Sequence, residues 1–256
     1  AKTKILWETW SGATLLCTED ERRILFKKIS CGQKRQFVIR ICRFQLKGQL
    51  SPVQHIFIIN PHAGKKDQTG RIYEMADRLR QHGLTCQCLL TQRSGGAEES
   101  ARRLVSSGEE VRLYACGGDG TLNEVVNGAA GFDNAAVTCI PIGTGNDFLK
   151  NFGPDAAKFT DAENLWDGEV HPLDLIDCNG RQCLTIACSG IDARVAESVH
   201  ELGDSPFLSG RGSYLAAVAV NFLFRGIGRH WTVTLDDEVI EDGFALVSMC
   251  NGRYYG

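Results

Sequence analysis

The chain has 256 residues, of which 43% are hydrophobic, and this is enough apolar material for one large domain or two modest ones. The net charge is −3, so we expect no nucleic acid partner. The longest apolar run covers residues 214–224 and is too short to span a bilayer. The 11 cysteines are scattered without a zinc-binding spacing and no secretory signal precedes them, which predicts a cytoplasmic protein with reduced thiols.

The first 50 residues form a basic N-terminal extension, with 11 basic and 4 acidic residues against 17 and 27 in the rest of the chain. Such an arm could contact anionic lipid, which would give a peripheral membrane association. The alternative, that the arm is a solvated tail, is slightly favoured over lipid contact. The mixed apolar and basic segment 37–44 could be a strand, an interfacial anchor, or an extension outside the folded unit.

Regular patterning begins at Gln54, where short apolar strands alternate with amphipathic helices. Strands are predicted at 55–59, 84–91, 111–115 and 136–140. The helix faces are Ile72, Met75, Ala76 and Leu79, then Ala97, Ala101, Leu104 and Val105, then Leu122, Val125, Val126 and Ala129, with Gly83 and Gly108 as helix ends. This βαβαβαβ order predicts a parallel sheet whose four carboxyl ends, at 60–64, 91–96, 117–121 and 141–147, converge on one crevice.

The third strand end, Cys116-Gly117-Gly118-Asp119-Gly120-Thr121-Leu122-Asn123-Glu124, joins a buried strand to a helix. Its glycines would let a ligand approach the backbone, and a helix N-terminus there would favour phosphate. Thr121 and Glu124 have the spacing of a capping box, which predicts that the helix starts at residue 121. Asp119 would repel phosphate and is better explained as a ligand of a divalent cation. The alternative is a tight turn with a surface aspartate.

The fourth strand end, Pro141-Ile142-Gly143-Thr144-Gly145-Asn146-Asp147, repeats this arrangement. Thr144 and Asp147 again have the capping spacing, and Thr144 as a plain N-cap would explain the turn without any ligand. Two such turns in one sheet favour a shared site. Asp119 and Asp147 together could then hold Mg²⁺ against phosphate oxygens.

The pattern changes after Val170. Two short alternating runs, 171–178 and 183–187, flank Asn179-Gly180, which predicts a hairpin. Helices are predicted at 191–202 and 214–224 around a loop at 203–211, and strands at 231–235 and 244–249 joined by an acidic turn. The predicted fold class is therefore α/β, with a parallel-sheet nucleotide-binding domain over 51–168 and a β-rich antiparallel second domain over 169–256.

The motifs at 59–64, 117–121 and 141–147 together resemble the diacylglycerol kinase catalytic domain family, and the soluble bacterial lipid kinases in particular. The resemblance implies a fold similar to NAD kinase and sphingosine kinase, ATP and Mg²⁺ as cofactors, and a lipid substrate presented by the second domain. It implies catalytic and metal-binding roles for Asp119 and Asp147. It implies nucleotide contacts for Asn60, Pro61, Gly64, Lys65, Thr91, Gly117, Gly118, Gly120, Thr121, Glu124, Gly143 and Thr144.

Family members continue beyond the turn at 251–256, and their later part contains an acidic segment that supplies the general base. We therefore expect that base beyond Gly256, and poor or no turnover by these 256 residues. The leading interpretation is an ATP-dependent lipid kinase. A NAD kinase-like small-molecule kinase and a nucleotide-binding module without catalysis remain alternatives, and homo-oligomerisation stays open.

Overall fold

The computed structural model describes residues 13–18, 23–28, 39–44, 53–191, 193, 229–235 and 238–254. These residues form two compact units that interleave along the chain. The parallel-sheet unit contains 39–44, 53–175, 181–185 and 251–254, and the β-rich unit contains the rest. The predicted helices at 191–202 and 214–224, and the loop at 203–211, lie outside the described residues apart from 191 and 193. The predicted domain limits at 51, 168 and 169 remain predictions.

The described strands and helices are as follows in chain order. They are β1 (Ala13–Thr18), β2 (Arg23–Lys28), β3 (Ile39–Phe44), β4 (Gln54–Ile59), α1 (Thr69–Gln81), β5 (Cys86–Leu90), α2 (Gly96–Val105), β6 (Val111–Gly117), α3 (Asp119–Ala129), β7 (Ala135–Pro141), α4 (Asp147–Lys150), two 3₁₀ helices (Gly153–Thr160 and Ala162–Asn164), β8 (Gly168–Leu173), β9 (Ile176–Cys178), β10 (Arg181–Cys183), β11 (Ile186–Gly190), β12 (Arg229–Leu235), β13 (Glu238–Phe244) and β14 (Leu246–Cys250).

The large sheet of the parallel-sheet unit has the strand order β5-β4-β6-β7-β3-β8. All neighbours are parallel except β8, which pairs antiparallel with β3 at one edge. This arrangement confirms the α/β class. From β4 the chain moves outward to β5 and then crosses back to β6, so the order reverses between β4 and β6. In open sheets of this type, ligands bind outside the carboxyl ends of the strands at such a switch point.

Segment 37–44 contributes the strand β3, which was one of its three interpretations. In the structure β3 lies between β7 and β8, with Ile41 opposite Val137 on one side and His171 on the other. The amino-terminal arm therefore supplies an inner strand of the large sheet. Residues 13–18 and 23–28 form an antiparallel pair in the β-rich unit.

The core of the large sheet follows from uninterrupted apolar strands. Residues 56–59 of β4 are fully buried, and Tyr114 of β6 stacks on Phe57 with ring centroids 4.4 Å apart. The predicted face of α1 is buried at all four positions. Gly83 ends this helix in the left-handed conformation, with φ of +81°, and Leu84 N–H donates to the Leu79 carbonyl at 3.2 Å. That hydrogen bond is typical of a glycine-terminated helix.

Helices α2 and α3 pack closely because of Gly128. A Cβ at this position would lie 2.6 Å from the Ala101 Cβ and 3.0 Å from the Arg102 nitrogen. Arg102 also donates from Nη2 to the Asn127 carbonyl at 2.6 Å. Only glycine allows this approach, and the position of α3 against α2 is fixed by it.

The β-rich unit confirms the second fold expectation, that of antiparallel strands late in the chain. Strand β12 pairs antiparallel with β13, and β11 with β14. The predicted Asn-Gly turn is present, since Asn179 and Gly180 have φ of +54° and +87°. The predicted acidic turn at 236–243 is wrong, because residues 238–244 form β13. This strand is mostly exposed, so it lacks the apolar alternation that would have identified it.

Candidate functional site

The switch point is occupied by the turn that follows β4. Asn60 donates from its backbone N–H to the Cys116 carbonyl at 2.9 Å, and from Nδ2 to Thr121 Oγ1 at 3.2 Å. Its Oδ1 accepts from the His62 N–H at 3.0 Å, which closes the turn around Pro61. The first and third strand ends are therefore joined by one side chain. Thr121 is buried and its hydroxyl is a partner of Asn60 rather than a cap of its own helix.

The third and fourth strand ends meet backbone to backbone. The N–H groups of Ile142 and Gly143 both donate to the Gly117 carbonyl at 3.1 Å. A Cβ on Gly143 would lie 2.5 Å from the Gly118 Cα, and one on Gly117 would collide with the Thr121 side chain. These two positions are glycine because the turns themselves leave no room for a side chain.

The turn after the first strand, residues 60–64, also contacts the turn at 141–147. Gly64 has φ of +80°, and a Cβ there would collide with the Ile142 carbonyl oxygen. Lys65 follows it and is exposed. The turn at 60–64 thus packs against the turn at 141–147, as expected from their positions after parallel strands.

Gly118 and Gly120 differ from these glycines. A Cβ on Gly118 would meet the Gly143 Cα at an ordinary 3.5 Å, and one on Gly120 would have no described atom within 4 Å. Gly118 has φ of −101°, and Gly120 is not among the positive-φ glycines. Neither packing nor backbone conformation requires glycine at these two positions. What their missing side chains provide is open space over the start of α3.

The predicted capping box at Thr121 and Glu124 is wrong. Helix α3 starts at Asp119, directly after the strand, so Thr121 already lies in the first turn and cannot be the N-cap. The N-cap is Gly118, and no described side chain caps the helix there. The Glu124 carboxylate instead accepts from the N–H groups of Gly95 and Ala97, at 3.0 and 3.1 Å, at the start of α2.

The second predicted cap, Thr144, is also wrong. Helix α4 has Asn146 as its N-cap residue, in the left-handed conformation with φ of +57°, and Thr144 is exposed ahead of it. The Asp119 carboxylate takes the capping role. Its Oδ2 accepts from the Asp147 N–H at 3.0 Å, and its Oδ1 from the Phe148 N–H at 3.2 Å. The carboxylate of Asp119, distant in sequence, therefore accepts the hydrogen bonds at the start of α4 that were expected to go to Thr144.

The two aspartates predicted to bind metal are thus neighbours. Asp147 is also paired through Oδ1 with Lys150 Nζ at 2.6 Å. No group of three or more His, Cys, Asp or Glu side chains suited to a metal ion occurs in the described part of the chain. The residues fit Mg²⁺ only in its usual nucleotide-bound form, in which phosphates and waters supply most ligands and the protein one or two carboxylates. A carboxylate has about four acceptor positions, so Asp119 keeps capacity beyond its two backbone partners.

The loop at the second strand end, residues 91–96, is held by hydrogen bonds at both of its ends. Thr91, which follows β5 and is half-buried, donates its N–H to the Ile59 carbonyl at 2.8 Å. Gly96 donates its N–H to the Arg93 carbonyl at 3.0 Å, which closes the turn before α2. Glu124 then joins this turn to α3. All four predicted strand ends are therefore linked through hydrogen bonds or glycine contacts within one unit.

Sequence reasoning missed two residues that position α3. Asn127 donates from Nδ2 to the Gln182 carbonyl at 2.7 Å and accepts at Oδ1 from the Gln182 N–H at 2.8 Å, as a neighbouring strand would. Asn123 Oδ1 accepts from the Leu184 N–H at 3.2 Å. The available signal was a pair of asparagines four residues apart in one helix, a spacing that places both on the same face.

Cys139 lies beneath the turns and takes no part in this chemistry. Together with Gly117, Asp119, Leu122 and Phe148 it lines a small cavity, about large enough for one water molecule. Burial raises the pKa of the Cys139 thiol, and the nearby Asp119 carboxylate raises it further. The thiol therefore stays protonated, which excludes it as a nucleophile.

Comparison with known proteins gives a consistent result. Residues 54–178 match the model of the diacylglycerol kinase catalytic domain. The chain is 32% identical over 135 residues to the diacylglycerol kinase of Bacillus subtilis, covering 52% of this chain and 44% of that protein. It is 31% identical over 147 residues to the diacylglycerol kinase of Staphylococcus carnosus, covering 56% and 46%. A crystal structure of a diacylglycerol kinase from Bacillus anthracis superposes with a TM-score of 0.55 at 26% identity, over 78% of this chain and 65% of that one.

These matches are to kinases, and the fold and the glycine turns agree with them. More narrowly, residues 54–178 are similar to the diacylglycerol kinase catalytic domain family, which confirms the resemblance read from the three motifs. The chain spans less than half the length of the Bacillus subtilis relative.

Proposed function

We propose that the protein is an ATP-dependent lipid kinase, which transfers the γ-phosphoryl group of ATP to the hydroxyl of diacylglycerol or a related lipid. With diacylglycerol the product is phosphatidate. The observation that carries the proposal is the pair Gly118 and Gly120. Their Cβ atoms would fit the fold, yet both positions are glycine. Gly118 is the N-cap of α3 and Gly120 lies in its first turn, at a helix start that no described side chain caps.

The start of α3 suits a phosphate group. Its N-cap residue, Gly118, has no side chain, so the first N–H groups of the helix and its positive dipole end are left for a ligand. The missing Cβ atoms of Gly118 and Gly120 let phosphate oxygens approach these N–H groups closely. The family match supports a nucleoside triphosphate as the class of ligand.

Phosphoryl transfer needs little more than positioning and neutralisation of charge. Backbone N–H groups of α3 would orient the phosphates, and the exposed Lys65 would balance part of their charge. Asp119 and Asp147, which lie next to each other, would hold the Mg²⁺ that accompanies ATP. When bound, Mg²⁺ would supply a charge that stabilises the transferred group. Asn60, Thr91 and Thr144 would line the same cleft.

We further propose that the protein works in the cytoplasm and reaches its lipid by peripheral contact with a membrane. No helix in the residues that the structure describes is long and apolar enough to cross a bilayer. The basic arm, with 11 basic residues in the first 50, supports attraction to anionic lipid. Homo-oligomerisation remains an open expectation.

Two measurements on one sample test the proposal. Mg²⁺-ATP is titrated by calorimetry, and transfer of labelled γ-phosphate is then measured with diacylglycerol in mixed micelles, beside NAD and fructose 6-phosphate. We expect nucleotide binding, and we expect the label that is transferred, at whatever rate, to be in the lipid. Label in NAD and none in the lipid would favour the small-molecule kinase. Binding without transfer to any acceptor would leave a nucleotide-binding module.

A further inference from the structure

Glu124 belongs to α3 but serves the start of α2. Each oxygen of its carboxylate accepts one backbone N–H, from Gly95 at 3.0 Å and from Ala97 at 3.1 Å. These N–H groups belong to the residue before α2 and to its second residue, at a helix start, where N–H groups lack internal partners and the positive dipole end lies. The N-cap of α2 is Gly95, which has φ of +78° and no side chain of its own to supply. The Glu124 carboxylate of the neighbouring helix α3 therefore caps the N-terminus of α2.

The position of this carboxylate is fixed by packing. Gly128, one turn further along α3, lies against Ala101 of α2 so closely that no side chain fits between the helices. Glu124 is half-buried and spans the remaining gap at the end nearest the site. The turn at 91–96 is thereby tied to α3, the helix whose start faces the proposed phosphate position.

Asp119 acts in the same way on the other side, where it accepts from the first N–H groups of α4. The start of α1 also has a carboxylate partner, since Asp67 Oδ1 accepts from the Thr69 N–H at 2.8 Å. Among the described helices on this edge of the sheet, α3 is the one whose start has no side-chain cap. The two acids of one motif thus cap two other helices and leave their own helix open to an anion.

We propose that Glu124 is a positioning residue of the nucleotide site. It holds the turn at 91–96, with Thr91, in place beside α3, and it closes the α2 start to phosphate, so the phosphates bind at α3. This inference rests on the proposed function, because the anion in question is the nucleotide phosphate. Glu124 itself needs no contact with the nucleotide.

The test uses Glu124→Ala and Glu124→Gln in the full chain, with Glu99→Ala as the matched control. Glu99 also lies in the first turn of α2, but its carboxylate pairs with Arg93 at 2.7 Å on the exposed surface. All three variants remove one negative charge from the same region. Only the Glu124 variants disturb the acceptor of the Gly95 and Ala97 N–H groups, and Glu124→Gln keeps one acceptor oxygen.

Two readouts separate the position of the turn from nucleotide binding. Amide hydrogen exchange without ligand should be at least about tenfold faster at Gly95 and Ala97 in Glu124→Ala, with amides of β6 unchanged. Mg²⁺-ATP affinity by calorimetry should fall about tenfold, which corresponds to about 1.4 kcal/mol of binding free energy. The KM for ATP should rise by a similar factor while kcat changes less than about threefold. Glu124→Gln should be intermediate, and Glu99→Ala should match the wild type.

Unchanged ATP affinity in Glu124→Ala would overturn the inference and leave the proposed function intact. An equal loss in Glu99→Ala would also overturn it, since net charge would then explain the effect. If the wild type binds no ATP, the proposed function fails and this inference with it, whereas exchange at Gly95 and Ala97 still reports whether Glu124 holds the turn. Should Glu124→Ala unfold, Glu124→Gln with wild-type affinity would be the overturning result.

Discussion

Asp119 Oδ2 accepts a hydrogen bond from the backbone N–H of Asp147 at 3.0 Å. The aspartate of the turn after β6 therefore holds the start of α4, the helix that begins with the second aspartate. Both residues were expected as metal ligands, and their proximity is what that expectation requires. The contact also gives Asp119 a structural role that does not depend on any ligand, and variants at this position therefore have two effects to separate.

Asp119→Ala should lower both stability and activity. Loss of the two hydrogen bonds at the start of α4 is expected to reduce the free energy of unfolding by about 1–2 kcal/mol. Lipid phosphorylation should disappear, because the Mg²⁺ contact is removed as well. Urea denaturation and a micelle assay measure the two effects, with Asp155→Ala as a control from an exposed ion pair with Lys158. Near wild-type turnover in Asp119→Ala would remove it from the metal site.

The glycines of the turns should divide into two groups. Gly118→Ala should leave the melting temperature within a few degrees of the wild type and weaken Mg²⁺-ATP binding at least about tenfold, because its Cβ fits the fold but occupies the phosphate approach. Gly143→Ala should lose several kcal/mol of stability, because its Cβ would overlap the Gly118 backbone. Scanning calorimetry and ATP titration distinguish them. Equal destabilisation by both substitutions would contradict the argument that Gly118 is kept for a ligand.

Gly128→Ala should separate α2 from α3. Overpacking at this contact is expected to cost about 1–3 kcal/mol, since the nearest atoms are the Ala101 Cβ and the α2 backbone. Gly70→Ala on α1 is the matched control, because a Cβ there has no described atom within 4 Å and alanine is the better helix former. The control should be neutral or slightly stabilising in urea denaturation. Equal stability of the two variants would mean that the helices tolerate a wider spacing.

Stability should fall in mild acid because of His55. This side chain is buried and its Nδ1 lies 2.9 Å from the Tyr114 hydroxyl. Burial, with a smaller contribution from Arg112, lowers the pKa of His55 from 6.5 to about 4. The unfolded chain therefore binds an extra proton below pH 6.5, and the folded state loses up to about 3 kcal/mol as the pH falls from 6.5 to 4. Urea denaturation of wild type and His55→Gln across this range measures the difference, and equal pH slopes would refute it.

Deletion of residues 1–50 should destabilise the parallel sheet. The deletion removes β3, whose absence would leave β7 without its neighbour on that side and β8 without its only described partner. We expect lower thermal stability and weaker ATP binding than in a deletion of residues 1–12, which lie outside the described part of the chain. Calorimetry on both truncations checks this. A stable sheet after removal of 1–50 would show that β3 is dispensable.

Local patterns in the sequence determined the elements and the edge of the sheet that carries the site. The α1 face, Ile72 to Leu79, is buried because apolar residues at helical spacing need a common partner, and glycine turns after buried strands mark the carboxyl ends. The glycine and aspartate residues of the site could therefore be named from three short motifs.

Tertiary structure alone decided the partners of those residues. Thr121, Glu124 and Thr144 have the spacing of local caps, yet Thr121 pairs with Asn60, Glu124 caps α2, and Asp119 replaces Thr144 at α4. A spacing of three residues describes only acceptors within one turn of a helix, whereas packing of α3 between its neighbours brings other N–H groups equally near. For the same reason segment 37–44 has three interpretations from its sequence, and β13 is predicted as a turn. Strand pairing joins residues far apart in sequence, and an exposed or mixed strand carries no periodic signal of its own.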